Sequence, residues 1–179
     1  MLLRKLLILF PLVILMQGCL VFHSVSYEII MDDEKSGTVT IQVADIRSDA
    51  MNTSELEEDK KQLFQDLLKG DEFVKQMRDE GKNILDRKLY VSNDRLNGAV
   101  KYSFEDVAKV EGIVYQEPFY FITINPADSI ISTNGEVIIS ENHKRIMWDN
   151  SIKIMKFEMF SADVSSGNLV DLTKYLEEK

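Results

Sequence analysis

Apolar and polar residues alternate strictly from Ser24, with Val25, Tyr27 and Ile29 set against Ser24, Ser26 and Glu28, which is the period of a strand with one buried face. The polar run Asp32-Asp33-Glu34-Lys35-Ser36-Gly37 predicts a turn, and Val39, Ile41 and Val43 mark the returning strand over 38–46. Over 54–70 the period changes: Leu56, Leu63, Phe64, Leu67 and Leu68 recur at helical spacing. Ser54 with Glu57 reads as a capping box, and Gly70 as a left-handed helix end. A shorter helix over 72–80 follows, capped by Asp71, with Phe73, Val74 and Met77 as its apolar stripe and Gly81 as its stop.

Strand chemistry then resumes. Segments 85–91 and 99–104 flank a turn at Asn93-Asp94, and 105–111 predicts a helical turn before Gly112. The apolar run 119–124 predicts a strand covered on both faces. Asn134-Gly135 signals a hairpin between Ile130-Ile131 and Val137-Ile138-Ile139. Two more strands, 145–148 and 152–160, are joined at Asp149-Asn150, and Leu169, Leu172, Tyr175 and Leu176 predict a short C-terminal amphipathic helix. These elements predict an α+β fold, a largely antiparallel β-sheet with a helix pair packed on one face and a short C-terminal helix.

The first nineteen residues have a different character. Arg4 and Lys5 precede an unbroken apolar run, Leu6 to Met16, and Gly18 stands before the chain's single cysteine, Cys19. This order, Met16-Gln17-Gly18-Cys19, resembles the bacterial lipoprotein lipobox. The resemblance implies signal-peptidase recognition at Met16, Gln17 and Gly18, a diacylglycerol on the sulfur of Cys19, and cleavage that makes Cys19 the new N-terminus. The expected organisation is therefore a cleaved signal peptide at 1–18 and a single envelope domain at 19–179. An uncleaved anchor helix is the other reading, because Leu20, Val21 and Phe22 continue the apolar character, although Pro11, Gln17 and Gly18 interrupt the span.

Strand-like sequence starts within about five residues of Cys19, so no flexible tether separates the anchor from the domain. The expected location is the bacterial cell envelope, lipid-anchored: at the outer membrane facing the periplasm in a Gram-negative host, otherwise on the outer face of the plasma membrane.

Charge and chemistry narrow the function further. The net charge of -9 becomes -11 without Arg4 and Lys5, which argues against nucleic acid as a partner. With its one cysteine committed to the anchor, the domain holds no thiol for catalysis, redox or metal binding. His23 and His143 read as surface histidines, and Asp32, Asp33 and Glu34 as a polar turn without calcium-loop spacing. The glycines are isolated, with no phosphate-binding pattern, so no cofactor is expected. What remains is apolar material in the C-terminal strands: Phe119, Phe121, Met147, Trp148, Met155 and Phe157 fill a core or line a pocket for an apolar ligand.

The layout also resembles the LppM-like bacterial lipoproteins: a strand directly after the cysteine, Gly37-Thr38-Val39-Thr40 on the second strand, a helix, the late Asn134-Gly135 turn, then Trp148. That resemblance implies an α/β domain at the envelope and, in the family's namesake, binding of mannosylated phosphatidylinositol lipids. The function expected is a non-catalytic binding or structural module anchored to the membrane, whose partner is another envelope protein or a lipid. The alternatives are a carrier of an amphipathic lipid and, third, a carboxylate-dependent hydrolase.

Overall fold

The alternating segments of the first half build the backbone of a six-stranded antiparallel sheet in a computed structural model that describes residues 20–141, 143–160 and 169–176. In chain order the strands are β1 (Leu20–Val21), β2 (Ser24–Met31), β3 (Gly37–Ala44), β4 (Arg47–Ser48), β5 (Lys82–Ser92), β6 (Arg95–Phe104), β7 (Val114–Gln116), β8 (Phe119–Ile124), β9 (Ser129–Thr133), β10 (Glu136–Ile139), β11 (Lys144–Asp149), β12 (Ile154–Phe160) and β13 (Val170–Asp171). The six-stranded sheet has the order β5-β6-β3-β2-β12-β9, a four-stranded sheet has β10-β11-β8-β7, and β1-β4-β13 form a small third sheet.

Residues directly opposite in an antiparallel pair share a face, and the register here aligns one apolar face across the large sheet. Ile29 lies opposite both Val39 and Met155, Val39 opposite Tyr102, and Tyr27 opposite both Ile41 and Phe157. The other face carries Glu28, Thr40, Lys101 and Lys156, with Glu28 and Lys156 ion-paired. Tyr120, Ile122 and Ile124 of β8 and Ile146 and Trp148 of β11 close over the apolar face to complete the main core. A second cluster, Leu20, Ile46, Leu63, Phe64, Leu96 and Leu172, gathers beside the small sheet, where β1 and β13 both pair with β4.

Helix α1 (Thr53–Lys61) widens into a π-helical stretch over Gln62–Leu67, and helix α2 (Asp71–Asp79) follows after Gly70. Asn52 caps α1 by accepting from the Glu55 amide, and Glu55 returns the bond by accepting from the Met51 amide. The capping residues are thus Asn52 and Glu55, two positions before the expected Ser54 and Glu57. Gly70 is extended, with φ -66° and ψ 134°, and starts α2, whereas Gly81 at φ 82° ends the helical region as expected.

The fold class expected from the pattern is overturned. The molecule is mostly antiparallel sheet, divided among three sheets. It has one long helical run and a short second helix, and these do not act as a pair with one common face: Phe73 and Met77 enter the main core, whereas Leu63 and Phe64 enter the second. In place of a C-terminal helix, Val170–Asp171 pairs with β4 and only Thr173–Tyr175 forms a 3-10 turn, because burying Leu172 against the second core fixes the segment as an edge strand.

Asn134-Gly135 is not a hairpin turn. β9 pairs with β12 in the large sheet and β10 with β11 in the other, so the dipeptide crosses between sheets. Its side chain supplies the reason: Asn134 Oδ1 accepts from Trp148 Nε1 at 2.9 Å and from the Lys156 amide at 2.8 Å. A Cβ on Gly135 would stand 2.6 Å from Trp148 Nε1, so only glycine lets the chain pass over the indole. β11 and β12 likewise belong to different sheets rather than to one hairpin. β8 is covered on one face only, with Phe119 and Phe121 half-buried on the other.

Candidate functional site

The space between the helical region and the large sheet is incompletely filled. A cavity of about 120 Å³ lies there, its walls formed by Leu63 and Leu67 of the π-helical stretch, Phe73 and Met77 of α2, and Ile41 and Val43 of β3. Leu20 of β1 closes one side. Gly98 on β6 also lines the cavity, and there Ile46 and Leu89 crowd in: a Cβ would stand 3.2 Å from Ile46 Cδ1 and 3.4 Å from Leu89 Cδ2. The π-helical turn contributes too: extra residues per turn displace the following side chains from α-helical register, and such turns recur at functional sites.

Four charged residues, Lys82, Arg87, Lys88 and Glu111, interrupt the apolar lining, and two of them form an ion cluster. Lys82, the first residue of β5, is 2 % exposed, with Nζ 3.2 Å from Glu80 Oε2 and 3.8 Å from Glu111 Oε1. Glu111 reaches this position from a left-handed backbone, φ 44°, followed by Gly112 at φ 74°. A non-glycine residue in that region is strained, and such strain concentrates at functional sites. Tyr102 Oη donates to Glu111 Oε1 at 3.5 Å. Burial, reinforced by Glu80, pushes the Glu111 carboxyl above its ordinary value, against the opposing influence of Lys82 and Tyr102. Burial and the Glu111 charge push the phenols of Tyr27 and Tyr102 upward as well.

Elsewhere on the rim, Arg87 donates to the carbonyls of Leu67 and Gly70, both at 2.9 Å, satisfying groups that the helical run leaves without intrahelical partners.

The apolar residues singled out in the sequence divide between two environments. Trp148, Met155 and Phe157 are core, at most 2 % exposed, and Trp148 packs on Phe157 with ring centroids 5.8 Å apart. Phe119, Phe121 and Met147 line a surface depression on the outer face of the four-stranded sheet, with Arg145 placed over the Phe121 ring. They do not assemble into one internal pocket. The residues that do line the cavity run from Leu20 to Glu111, and Lys82 and Glu111 carry no sequence signal that sets them apart from many surface-like charges.

Comparison with models of known protein families gives no match, and comparison with curated proteins gives none either.

The remaining candidate residues are plain in their placement. His23 is exposed, and His143 Nδ1 lies 2.8 Å from Ser140 Oγ in the turn after β10. Asp33 accepts from the Lys35 and Ser36 amides, so its carboxylate organises the β2–β3 turn. Among the described residues no group of three or more His, Cys, Asp or Glu side chains could hold a metal ion, and no helix is long and apolar enough to cross a membrane. Met16, Gln17, Gly18 and Cys19 lie outside the described residues.

Chemically, the arrangement offers a small, mostly apolar space with room for a group no larger than a benzene ring, beside the Lys82 cluster. The carboxylate pair that a hydrolase would need exists as Glu80 and Glu111, but Lys82 lies between them and neutralises part of their charge. An ion cluster of that kind orders β5 against the segment before β7.

Proposed function

We propose that this chain is a bacterial envelope lipoprotein, anchored through a diacylglycerol on Cys19, whose domain is a non-catalytic binding module held against the membrane. The observation that supports it most is the position of Leu20. It follows Cys19 directly, is buried at 6 % exposure, and pairs in β1 with Ser48 of β4. An adjacent Cα is only about 3.8 Å away, so a lipid on Cys19 is joined to the folded domain without slack. Order of elements compatible with LppM-like lipoproteins adds to the reading, and the negative charge of the chain is consistent with a partner other than nucleic acid.

Metabolic labelling with an alkyne palmitate analogue tests it. Wild type is expected to carry the label and Cys19→Ala to lose it, with the protein shifting from the membrane to the soluble envelope fraction. Equal labelling of the two would refute the anchor.

A second reading, a carrier of a free amphipathic lipid, is favoured by the apolar cavity. Native mass spectrometry of residues 20–179 purified from the host checks it: a retained lipid mass supports a carrier, and an empty domain counts against one.

A further inference from the structure

β10 is an outer strand of the four-stranded sheet, and its far edge has no strand beside it among the described residues. Glu136, Val137, Ile138 and Ile139 are all exposed, Ile139 at 71 %. Consecutive β-branched apolar residues on an open edge are a template for another strand, which folded proteins ordinarily blunt with charges, bulges or shortness. The other edges of the two larger sheets carry such devices. β5 holds Lys82, Asp86, Arg87 and Lys88 and a bulge between Ile84 and Asp86, β9 meets a register shift at Glu158/Met159, and β7 spans only Val114–Gln116. We propose that β10 pairs antiparallel with β10 of a second copy of this chain, about a two-fold axis at Ile138.

The register follows from which backbone groups are free. Hydrogen-bonded and non-hydrogen-bonded pairs alternate along an antiparallel ladder. The Ser140 amide donates to the His143 carbonyl at 2.9 Å, so Ile138 with Arg145 and Glu136 with Met147 are hydrogen-bonded pairs too. The N–H and C=O of Val137 and Ile139 therefore point away from β11. With the axis at Ile138, each Val137 meets Ile139 of the second copy and exchanges both bonds with it, so these outward groups all find partners.

Side chains agree with this register. Val137 and Ile139 lie on the inner face, since Val137 stands opposite the buried Ile146, whereas Ile138 lies on the outer face opposite Arg145. Opposed residues share a face, so Val137 packs on Ile139 of the second copy, Ile138 on its own equivalent, and Glu136 beside Ser140. No like charges oppose one another. An axis at Glu136 sets two carboxylates together, and one at Val137 puts Ile139 opposite Gly135, whose amide is already held by Thr133 Oγ1 at 3.0 Å. An axis at Ile139 places Val137 against Glu141.

The net charge of -9 opposes self-association at long range, but cellular salt screens it beyond about 8 Å, and along this edge Lys144 and Arg145 balance Glu136 and Glu141. A two-fold contact of this kind closes at two copies. Its shortness puts it among weak interfaces, with a dissociation constant on the order of 1 μM. The pairing does not depend on a lipid at Cys19.

Sedimentation of the full chain in dodecyl maltoside, at about 20 μM, tests the pairing. Wild type is expected as a dimer. Ile138→Lys sets two ammonium groups face to face and should raise the dissociation constant roughly a hundredfold, leaving mostly monomer, with unchanged Trp148 emission as the sign that it is folded. Under copper-phenanthroline oxidation Ile138→Cys should link two copies, because Cα atoms opposed across the axis lie about 4.5 Å apart. Val137→Cys should not, its equivalents being more than ~7 Å apart. The parent chain, with Cys19 as its only cysteine, sets the background, and this cysteine pair decides the register whatever the lysine variant does.

A monomeric wild type, a mass above the dimer, or a folded Ile138→Lys that stays dimeric overturns the proposal. So does Ile138→Cys that links no more than the parent, or less than Val137→Cys. Each of these leaves the lipid anchor standing, since palmitate labelling tests that separately.

Discussion

Replacing Lys82 by Met keeps the aliphatic stem and removes the one cation between Glu80 and Glu111. At 3.2 and 3.8 Å, and with an effective dielectric constant of about 20, each lost charge pair corresponds to roughly 4 kcal/mol before relaxation. Glu80 is 27 % exposed and turns toward water, so the uncompensated charge that matters is that of Glu111, whose side chain is 14 % exposed. Breaking a buried pair from one side costs about 3–5 kcal/mol, and this partial relaxation places Lys82→Met near the lower end, about 3 kcal/mol at pH 8.

The loss depends on pH with a definite sign. The folded-state pKa of Glu111 is raised above its ordinary 4.5, so between these two values the folded protein binds more protons than the unfolded one. Stability from this group is therefore greatest below about pH 4.5 and declines as pH rises through the folded pKa. Lys82 at present limits the rise, and its removal extends the decline to higher pH, by at most ~1.4 kcal/mol per pH unit. A protonated carboxyl needs no cation, so the variant should lose less at pH 5 than at pH 8.

Urea unfolding of residues 20–179, followed through the emission of the chain's only tryptophan, Trp148, measures this at pH 5 and pH 8. Adding Glu111→Gln to Lys82→Met should recover most of the loss at pH 8. An equal loss at both pH values, or under about 1 kcal/mol at pH 8, would refute the assignment of Glu111 as the buried charge that Lys82 balances.

Asn134→Ala deprives the buried Trp148 N–H of its acceptor and should cost about 1–3 kcal/mol, read as a lower urea midpoint with altered Trp148 emission. Gly135→Ala places a methyl 2.6 Å from Trp148 Nε1 and 2.8 Å from the Met147 carbonyl, where the backbone cannot yield; a loss of about 3 kcal/mol is expected, and a neutral result would show that the sheet crossing is not fixed there. Leu172→Ala empties a fully buried position in the second core and should lower stability by about 3 kcal/mol, with protease cleavage near β13 rising in step.

Much of the strand content was legible because period-two alternation is a local property. β2, β3, β5, β6 and β8 all lie where the pattern puts them, and Asn93-Asp94, with φ 53° and 57°, turns β5 into β6. What the pattern does not carry is the choice of partner. Asn134-Gly135 has the composition of a hairpin, yet β9 and β10 enter different sheets because Trp148 and the Lys156 amide claim the asparagine oxygen. That competition links residues fourteen and twenty-two positions apart. Leu169 to Leu176 shows the same limit from the other direction, since helical spacing there yields to burial of Leu172 beside Leu20, at the far end of the chain.

The candidate site was illegible for a related reason. Apolar richness drew notice to the C-terminal strands, but richness marks well-filled space, and Trp148, Met155 and Phe157 are indeed packed solid. The cavity is instead lined by residues scattered from Leu20 to Glu111, and no local pattern joins them. Lys82 and Glu111 are separated by a strand pair and a turn, so nothing in their spacing joins them. They become a site only because Glu111 adopts a left-handed backbone that turns its carboxylate toward a buried ammonium group. Structure thus shifts the weight of the domain from its C-terminal strands to the junction of helix, sheet and N-terminus. At that junction Leu20 serves both as cavity wall and as the β1 partner of Ser48, so the start of the described chain is tied to helix and sheet at once.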